Sequence, residues 1–187
     1  MILPIVAYGD PVLKAKGKEI EKGYTGLDSL INNMWETMYN AKGVGLAAPQ
    51  VGLSLRLFII DASPFADEDP SLADFKRVFI NPIIVEESGK EWVFNEGCLS
   101  FPELREDITR KPNIRMTFVD ENFQEQEESF SGLAARIIQH EYDHIEGVVM
   151  TDRISPLKRT LIRKKLTSIS KGLVKPDYLM KFALKKR

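Results

Sequence analysis

The feature that most constrains this chain is the segment QHEYDH at residues 139–144, which places His140, Glu141 and His144 in an H-E-x-x-H pattern. On an α-helix, residues four apart lie on one face, so both imidazoles can bind the same metal ion. Glu141 is rotated by about 100° around the helix axis and can reach a water molecule on that ion. His140 and His144 are the two histidines of the chain. The fold must therefore form a helix here and bring a third ligand to face it.

The third ligand has to be another residue type. Among the acids downstream of His144, Glu146 points away from the metal face, and Asp152 and Asp177 lie in or beyond the turn into the basic tail. The single cysteine, Cys98, lies upstream in EGCLSFP between two strand-like segments. The preceding glycine lets the backbone turn, and a thiolate is a strong ligand for a borderline ion. Two histidines and one cysteine leave a fourth position open, which is typical of a catalytic site.

The composition indicates an ordinary globular domain. The chain has 187 residues, of which 43% are hydrophobic and 28% charged, enough for a core and unlike a disordered chain. The apolar opening MILPIVAYGD has no basic n-region and is too short for a signal peptide or a membrane span. We therefore expect a cytoplasmic protein with no membrane partner.

The charge is divided unequally along the chain. Residues 1–150 carry 14 Lys and Arg against 25 Asp and Glu, a net charge of −11, whereas residues 151–187 carry 12 against 2, a net charge of +10. We expect a catalytic domain at residues 1–155 and a basic C-terminal helix and tail at residues 156–187 within the same fold. The apolar residues that predict this helix, starting near Pro156, are Leu157, Leu161, Ile162, Leu166 and Ile169.

The remaining patterns predict an α+β fold. Apolar residues at helical spacing in residues 25–43 predict a helix that Thr25 caps and Gly43 ends. Residues 63–76 are acidic and bounded by prolines, so we expect a surface insertion. The β-rich runs are residues 55–62, 77–88, 91–97, 113–120 and 123–130, the last two joined as a hairpin at Glu121 and Asn122. Together these patterns predict mostly antiparallel strands packed around a central metal-binding helix, with N-terminal and C-terminal helices.

Three segments carry a resemblance to a known family. GVGLAAPQ at 43–50, EGCLSFP at 96–102 and QHEYDH at 139–144 resemble, in order and spacing, the three motifs of the peptide deformylases. The resemblance covers residues 1 to about 155. It implies removal of the formyl group from the N-terminal formylmethionine of nascent proteins, with a bound Fe²⁺ that Zn²⁺, Ni²⁺ or Co²⁺ can replace. Phe101 departs from the family, in which many members carry an aliphatic residue there.

The chemistry of the residues agrees with this resemblance. Hydrolysis of a formamide needs a nucleophile stronger than neutral water, and a divalent ion lowers the pKa of a bound water from about 15.7 to about 7. Glu141 is then the expected general base, which returns the proton to the departing amine. The carbonyl oxygen becomes negative during attack and needs fixed hydrogen-bond donors. Gln50, at the matching family position, and the backbone N–H of Leu99 are the expected donors.

The same segments are expected to hold the substrate. An N-formylmethionyl peptide can bind as an added strand between the backbones of residues 43–46 and 99–101. The residues expected around it and its methionine side chain are Val44, Gly45, Leu133 and Ile137. For the apolar side chains among these, ordinary core packing is an equal alternative, because both roles need apolar residues.

Three further expectations concern neighbours and partners. Asp143 is expected to pair with Arg110 or Arg105, which would orient the ligand-bearing helix; the alternative is a solvated Asp143. The basic tail is expected to contact the ribosome, because RNA phosphates attract Lys and Arg, and the alternative is a merely solvated face. No specific DNA partner is expected.

Two other functions remain compatible with the residues. A metallo-endopeptidase would use the same glutamate and water to cut internal peptide bonds. A non-catalytic, zinc-stabilised binding module would instead close all four metal positions.

Overall fold

The computed structural model describes residues 1–183, and these form an α+β fold. The strands are β1 Ile5–Val6, β2 Gly45–Ala47, β3 Leu57–Asp61, β4 Lys76–Ser88, β5 Trp92–Gly97, β6 Arg105–Arg110, β7 Asn113–Val119, β8 Glu125–Ser131 and β9 Met180–Lys181. The helices are α1 Leu27–Asn40, α2 Gly132–Ile145, α3 Pro156–Leu161 and α4 Arg163–Ser170. Residues 184–187 of the predicted tail lie outside the described residues. No helix within residues 1–183 is long and apolar enough to cross a membrane.

A five-stranded antiparallel sheet forms the centre, in the order β2-β3-β4-β7-β8. Side chains alternate between the two faces of a strand. Phe58 and Ile60 of β3 pack on one face with α2, and Leu57 and Ile59 pack on the other face with α1. The sheet therefore lies between two helices, which explains why β3 reads as a continuous apolar run. The predicted fold class is confirmed.

Helix α1 has the predicted position but different ends. Its N-cap is Gly26, with φ 81°, and no side chain caps it, so the prediction for Thr25 is wrong. Lys42, with φ 55°, takes the left-handed conformation after the helix. Gly43 still closes the end, because its N–H donates to the carbonyl of Met38 at 2.9 Å.

Helix α2 follows β8 without a loop. Gly132 has φ 57°, a conformation that a side chain would disfavour, and this lets the chain turn directly from the strand into the helix. The helix ends at Ile145, and Gly147 with φ 73° follows, as predicted. A Cβ at Gly147 would lie 2.6 Å from the carbonyl oxygen of Lys14, so a close backbone approach also requires glycine.

The basic tail differs from the predicted single helix. It forms two short helices, α3 and α4, that meet at Ile162. Leu166 and Ile169 are buried, as expected, but Leu157 and Leu161 are 71% and 74% exposed. Helix α3 contacts the domain through polar groups instead, with Lys158 paired to Glu106 and Arg159 donating to the carbonyl of Thr151. The chain then returns and β9 pairs in parallel with β1, a pairing that local patterns did not indicate.

Three other segments can be compared with the sequence prediction. The 63–76 segment lies at the surface with two 3₁₀ turns, but Leu72 within it is buried in the core. The predicted hairpin of β7 and β8 is present. Strand β6 was missed, because its sequence REDITR contains one apolar residue, Ile108; it pairs with β5.

Candidate metal centre and substrate cleft

His140, Glu141 and His144 of the H-E-x-x-H segment lie on α2, where His140 is half-buried and the other two are almost fully enclosed. Glu141 is 4% exposed and His144 is 2% exposed. Burial lowers the pKa of His144 well below its usual value, so the imidazole is neutral, the form that binds a metal ion. No residue in the described chain hydrogen-bonds to His144 Nδ1.

Cys98 faces both histidines. It follows β5 directly, and its Sγ lies 3.3 Å from His144 Nε2. The possible ligand atoms of Cys98, His140 and His144 all lie within 4.8 Å of one another. The structure therefore brings together the three residues that the sequence suggested as ligands, although Cys98 is 42 residues away from His140 along the chain.

These residues fit a divalent ion. A tetrahedral ion with bonds of about 2.0–2.3 Å separates its ligand atoms by roughly 3.3–3.6 Å. The distance between Cys98 Sγ and His144 Nε2 agrees with this spacing. A neutral imidazole, a second imidazole and a thiol form a donor set suited to borderline ions.

A buried carboxylate orients the first histidine. His140 Nδ1 lies 2.9 Å from Glu96 Oε2, which leaves Nε2 of His140 for an ion. Glu96 also accepts hydrogen bonds from Arg110 at 2.8 Å and Arg136 at 2.9 Å. Burial opposes ionisation of Glu96, but the hydrogen bonds from His140 and Arg110 outweigh it and hold its pKa well below the usual range. A carboxylate in this position fixes the tautomer and orientation of a histidine ligand.

The expected pairing of Asp143 is confirmed for one of its two candidates. Arg110 Nη1 donates to Asp143 Oδ2 at 2.8 Å, and Arg153 donates to the same carboxylate. Arg105 does not take part, because its guanidinium hydrogen-bonds to Asn95 on β5. Through Arg110, Asp143 on α2 is tied to Glu96 on β5.

Glu141 lies against the edge strand of the sheet. Its carboxylate packs against Gly45 of β2, and one of its oxygens, Oε2, has no hydrogen-bond partner within residues 1–183. Burial is the largest cause that raises the pKa of Glu141 to about 7. A carboxyl group that titrates near neutrality is suited to both accept and return a proton.

Gln50 is fixed with its amide nitrogen toward Cys98. Its Oε1 accepts the backbone N–H of Ala47 at 2.9 Å, so its Nε2 points the other way. This Nε2 lies 3.6 Å from Cys98 Sγ and 3.3 Å from Ser100 Oγ. Gln50 is 1% exposed, and its orientation is set by the surrounding backbone.

The segment after Cys98 holds Leu99 in a tight turn. Phe101 N–H donates to the carbonyl of Cys98 at 2.9 Å, and Tyr8 N–H donates to that of Ser100 at 2.9 Å. Within the described chain, the N–H of Leu99 donates to no protein acceptor. That N–H is thus available to a ligand.

A cleft of about 510 Å³ opens onto these residues. It lies between the segment Gly43–Gly45 and the segment Cys98–Phe101, and His140, Glu141 and Gln50 reach it. The expected pocket residues Val44, Gly45 and Ile137 line it, as does Phe101. Leu133 does not line it; this residue packs against the core between α2 and the sheet.

The sequence prediction missed four residues around the site. They are Glu96, Arg136, Ser100 and Tyr178. The position of Glu96, two residues before the candidate cysteine ligand, was a possible signal. Tyr178 had none, because it lies in the tail, far along the chain from every motif.

Comparisons with known proteins identify the family. The family model described as polypeptide deformylase matches residues 2–160. The peptide deformylase of Christiangramia forsetii is 59% identical over 97% of this chain and 96% of its own length. That of Flavobacterium psychrophilum is 56% identical over the full length of both chains. Among solved structures, a peptide deformylase from Legionella pneumophila superimposes with a TM-score of 0.79 at 39% identity, covering 90% of this chain and 95% of that one.

These matches together cover the three sequence motifs, the candidate metal ligands and the fold. It decides between the three functions that the residues alone allowed, in favour of formyl-group hydrolysis over endopeptidase action or metal-stabilised binding. The chain therefore belongs to the polypeptide deformylase family and is a metal-dependent hydrolase that removes the N-formyl group from the N-terminal formylmethionine of nascent polypeptides.

Proposed function

We propose that this enzyme works with one Fe²⁺ ion held by Cys98, His140 and His144, with Glu141 as the general acid and base. The observation that carries the proposal is the convergence of the three ligand atoms within 4.8 Å beside a buried glutamate whose pKa is about 7. When bound, a divalent ion supplies a Lewis acid at the formyl carbonyl and lowers the pKa of a water molecule. Zn²⁺, Ni²⁺ and Co²⁺ suit the same donors and are expected to replace iron.

Glu141 carries the proton in this proposal. Its free Oε2 accepts a proton from the attacking water and then returns it to the nitrogen of the departing amine, while the C–N bond of the formamide breaks. Formate and a free N-terminus are the products. The enclosed position of Glu141 supports this role, because it excludes bulk water that would otherwise compete for the proton.

Two donors complete the proposed chemistry. As negative charge develops on the formyl oxygen, Gln50 Nε2 and the backbone N–H of Leu99 stabilise it. The support is that Gln50 is held rigidly by Ala47 and that Leu99 N–H has no acceptor within residues 1–183.

The substrate is proposed to bind along the edge strand β2. This strand is paired on one side only, by β3, and its first residue, Gly45, lines the cleft together with Gly43 and Val44 just before it. A peptide can add there as a further strand, with Val44, Gly45 and Ile137 around its methionine side chain.

Anaerobic purification, metal analysis and a formate-release assay on a formylmethionyl peptide test the proposal. Iron bound in a 1:1 ratio together with formate release is the expected result. Activity of the iron form is expected to decay in air, because a thiolate beside a redox-active ion is prone to oxidation, whereas the nickel form should persist. Equal air stability of freshly loaded iron and nickel forms would contradict iron as the working metal.

We further propose that the enzyme acts in the cytoplasm and contacts the ribosome through its basic C-terminal helices, which belong to the same folding unit as residues 1–155. Arg163, Lys164 and Lys165 are exposed on α4, in a tail of net charge +10. Contacts to phosphate would weaken with salt.

Charge reversal tests the ribosome contact better than truncation. Removing the chain after Pro156 would delete the buried Leu166 and Ile169, so loss of binding would also follow from unfolding. Reversal of Arg163, Lys164 and Lys165 to Glu should reduce co-sedimentation with ribosomes at low salt and leave hydrolysis of small formyl-peptides intact. Reversal of the exposed Lys18, Lys22 and Lys90 is the matched control. Equal co-sedimentation of both variants would mean that the tail is only a solvated surface.

A further inference from the structure

The end of the described chain returns to the catalytic cleft. Tyr178 lines the cleft and its hydroxyl donates to the carbonyl oxygen of Leu99 at 2.8 Å. The neighbouring Asp177 forms a salt bridge at 3.1 Å with Lys42, next to the opposite wall. Consecutive residues of the tail thus contact both segments between which the substrate is proposed to bind.

The backbone after Tyr178 is held firmly in place. Strand β9 pairs with β1, and Ile5 and Ala7 donate backbone hydrogen bonds to Leu179 and Lys181, both at 2.9 Å. The next residue of the β1 segment, Tyr8, donates to the carbonyl of Ser100. The same short segment therefore fixes the tail and the turn that carries Leu99.

Tyr178 supplies a contact that this turn otherwise lacks. Three successive carbonyls, those of Cys98, Leu99 and Ser100, each accept one hydrogen bond. Backbone N–H groups of nearby residues satisfy the first and third. Within residues 1–183, the second carbonyl, that of Leu99, accepts its hydrogen bond from the Tyr178 hydroxyl.

We propose that Tyr178 is a positioning residue for hydrolysis, which holds Leu99 so that its N–H stays directed at the formyl oxygen. The proposal rests on the donor role proposed above for Leu99. A donor of this kind must lie about 2.7–3.1 Å from the developing oxyanion, so a small rotation of the residue weakens it. Tyr178 acts through Leu99 and touches neither the formyl group nor the ion.

The two tail contacts differ in their expected importance. The side chains of Lys42 and Asp177 are 81% and 73% exposed, and exposed pairs of this kind contribute little. The Tyr178 hydrogen bond is partly buried and has a fixed geometry. A neutral hydrogen bond of about 1 kcal/mol corresponds to a factor of about five in rate. We therefore assign the positioning to the hydroxyl of Tyr178.

The test is Tyr178→Phe in the full-length, metal-loaded enzyme, which removes the hydroxyl and keeps the ring. A fall of about 5- to 10-fold in kcat is expected, smaller than the roughly 10²-fold effect of losing a donor outright. The KM should change by less than about twofold, because the walls of the cleft and the aromatic ring at position 178 remain in place. Thermal midpoint and bound metal should match the parent enzyme. Asp177→Asn is the matched control and should keep its kcat.

Several results would overturn the proposal. Tyr178→Phe could keep its kcat, change only its KM, or lose rate because its thermal midpoint and metal content fall. Asp177→Asn could lose as much kcat as Tyr178→Phe. Gln50→Ala, assayed in parallel, separates the proposed role of Tyr178 from the oxyanion-donor proposal on which it rests. Full activity of Gln50→Ala would count against the proposed oxyanion donors themselves. If Gln50→Ala loses activity while Tyr178→Phe is unaffected, only the role of Tyr178 is rejected.

Discussion

Gly45 and Glu141 pack so closely that a methyl group at position 45 would lie 2.8 Å from the carboxyl carbon of Glu141. A side chain at this position of the edge strand β2 would have to displace the carboxylate of Glu141 on α2, so glycine leaves room for that carboxylate in its present position.

We expect Gly45→Ala to lower kcat by at least about 10-fold, because displacing a general acid-base forfeits part of its usual 10²- to 10⁴-fold contribution. The backbone of Gly45 does not have a positive φ, so alanine should cause little strain in the strand itself. Formate release measured beside the thermal midpoint checks this. An active Gly45→Ala enzyme would show that Glu141 can move aside without cost.

Replacing the carboxylate is a more direct test. Glu141→Gln should bind metal normally and lose at least about 10²-fold in turnover, because the amide cannot accept the proton. Metal content and formate release are measured on the same preparation. Near-normal formate release would refute the proposed mechanism.

The same substitution should change the pH dependence of stability after the metal is removed by a chelator. Burial raises the pKa of Glu141 to about 7 from its ordinary value of 4.5. The folded protein thus binds this proton more tightly than the unfolded chain, and its free energy of unfolding falls as the pH rises from about 4.5 to about 7.

Glutamine does not ionise, so metal-free Glu141→Gln should be more stable than the metal-free parent at pH 8, by an amount on the order of 1–3 kcal/mol, and equally stable near pH 4. Urea unfolding at the two pH values measures this. A difference that is constant with pH would show that Glu141 titrates normally.

Loss of the thiolate should act on metal affinity. We expect Cys98→Ser to fold and to bind the ion more weakly, because the hydroxyl is a poor substitute for a thiolate ligand. Metal retention during dialysis against a chelator checks this. Unchanged retention and activity would mean that another residue supplies the third ligand.

The buried carboxylate behind His140 should support both stability and metal binding. Glu96→Gln removes the negative charge between Arg110 and Arg136, and breaking a buried pair costs about 3–5 kcal/mol. Loss of an outer partner of a histidine ligand typically weakens metal binding by about 10- to 100-fold. Glu91→Gln, an exposed glutamate just before β5, is the control. If the two variants have equal unfolding free energies and metal affinities, Glu96 has no such role.

The sequence by itself determined what depends on local pattern. Helical spacing placed His140, Glu141 and His144 on one side of a helix, and runs rich in β-forming residues predicted most strands of the sheet. Elimination and the family motif both indicated Cys98, because the chain offers few other ligands. These features follow from the geometry of a single helix or strand, or from the scarcity of a residue type.

The tertiary structure decided the contacts that join distant segments. Glu96 reaches His140 only because β5 packs across α2, and Tyr178 reaches Leu99, 79 residues away along the chain, only because β9 pairs with β1. Leu133 has the same helical periodicity as Ile137, yet it packs against the core cluster and is not among the residues that line the cleft. Such contacts arise from the packing of whole elements, which leaves no periodic signal in the local sequence, so residues of the same type are distinguished only by where the folded chain places them.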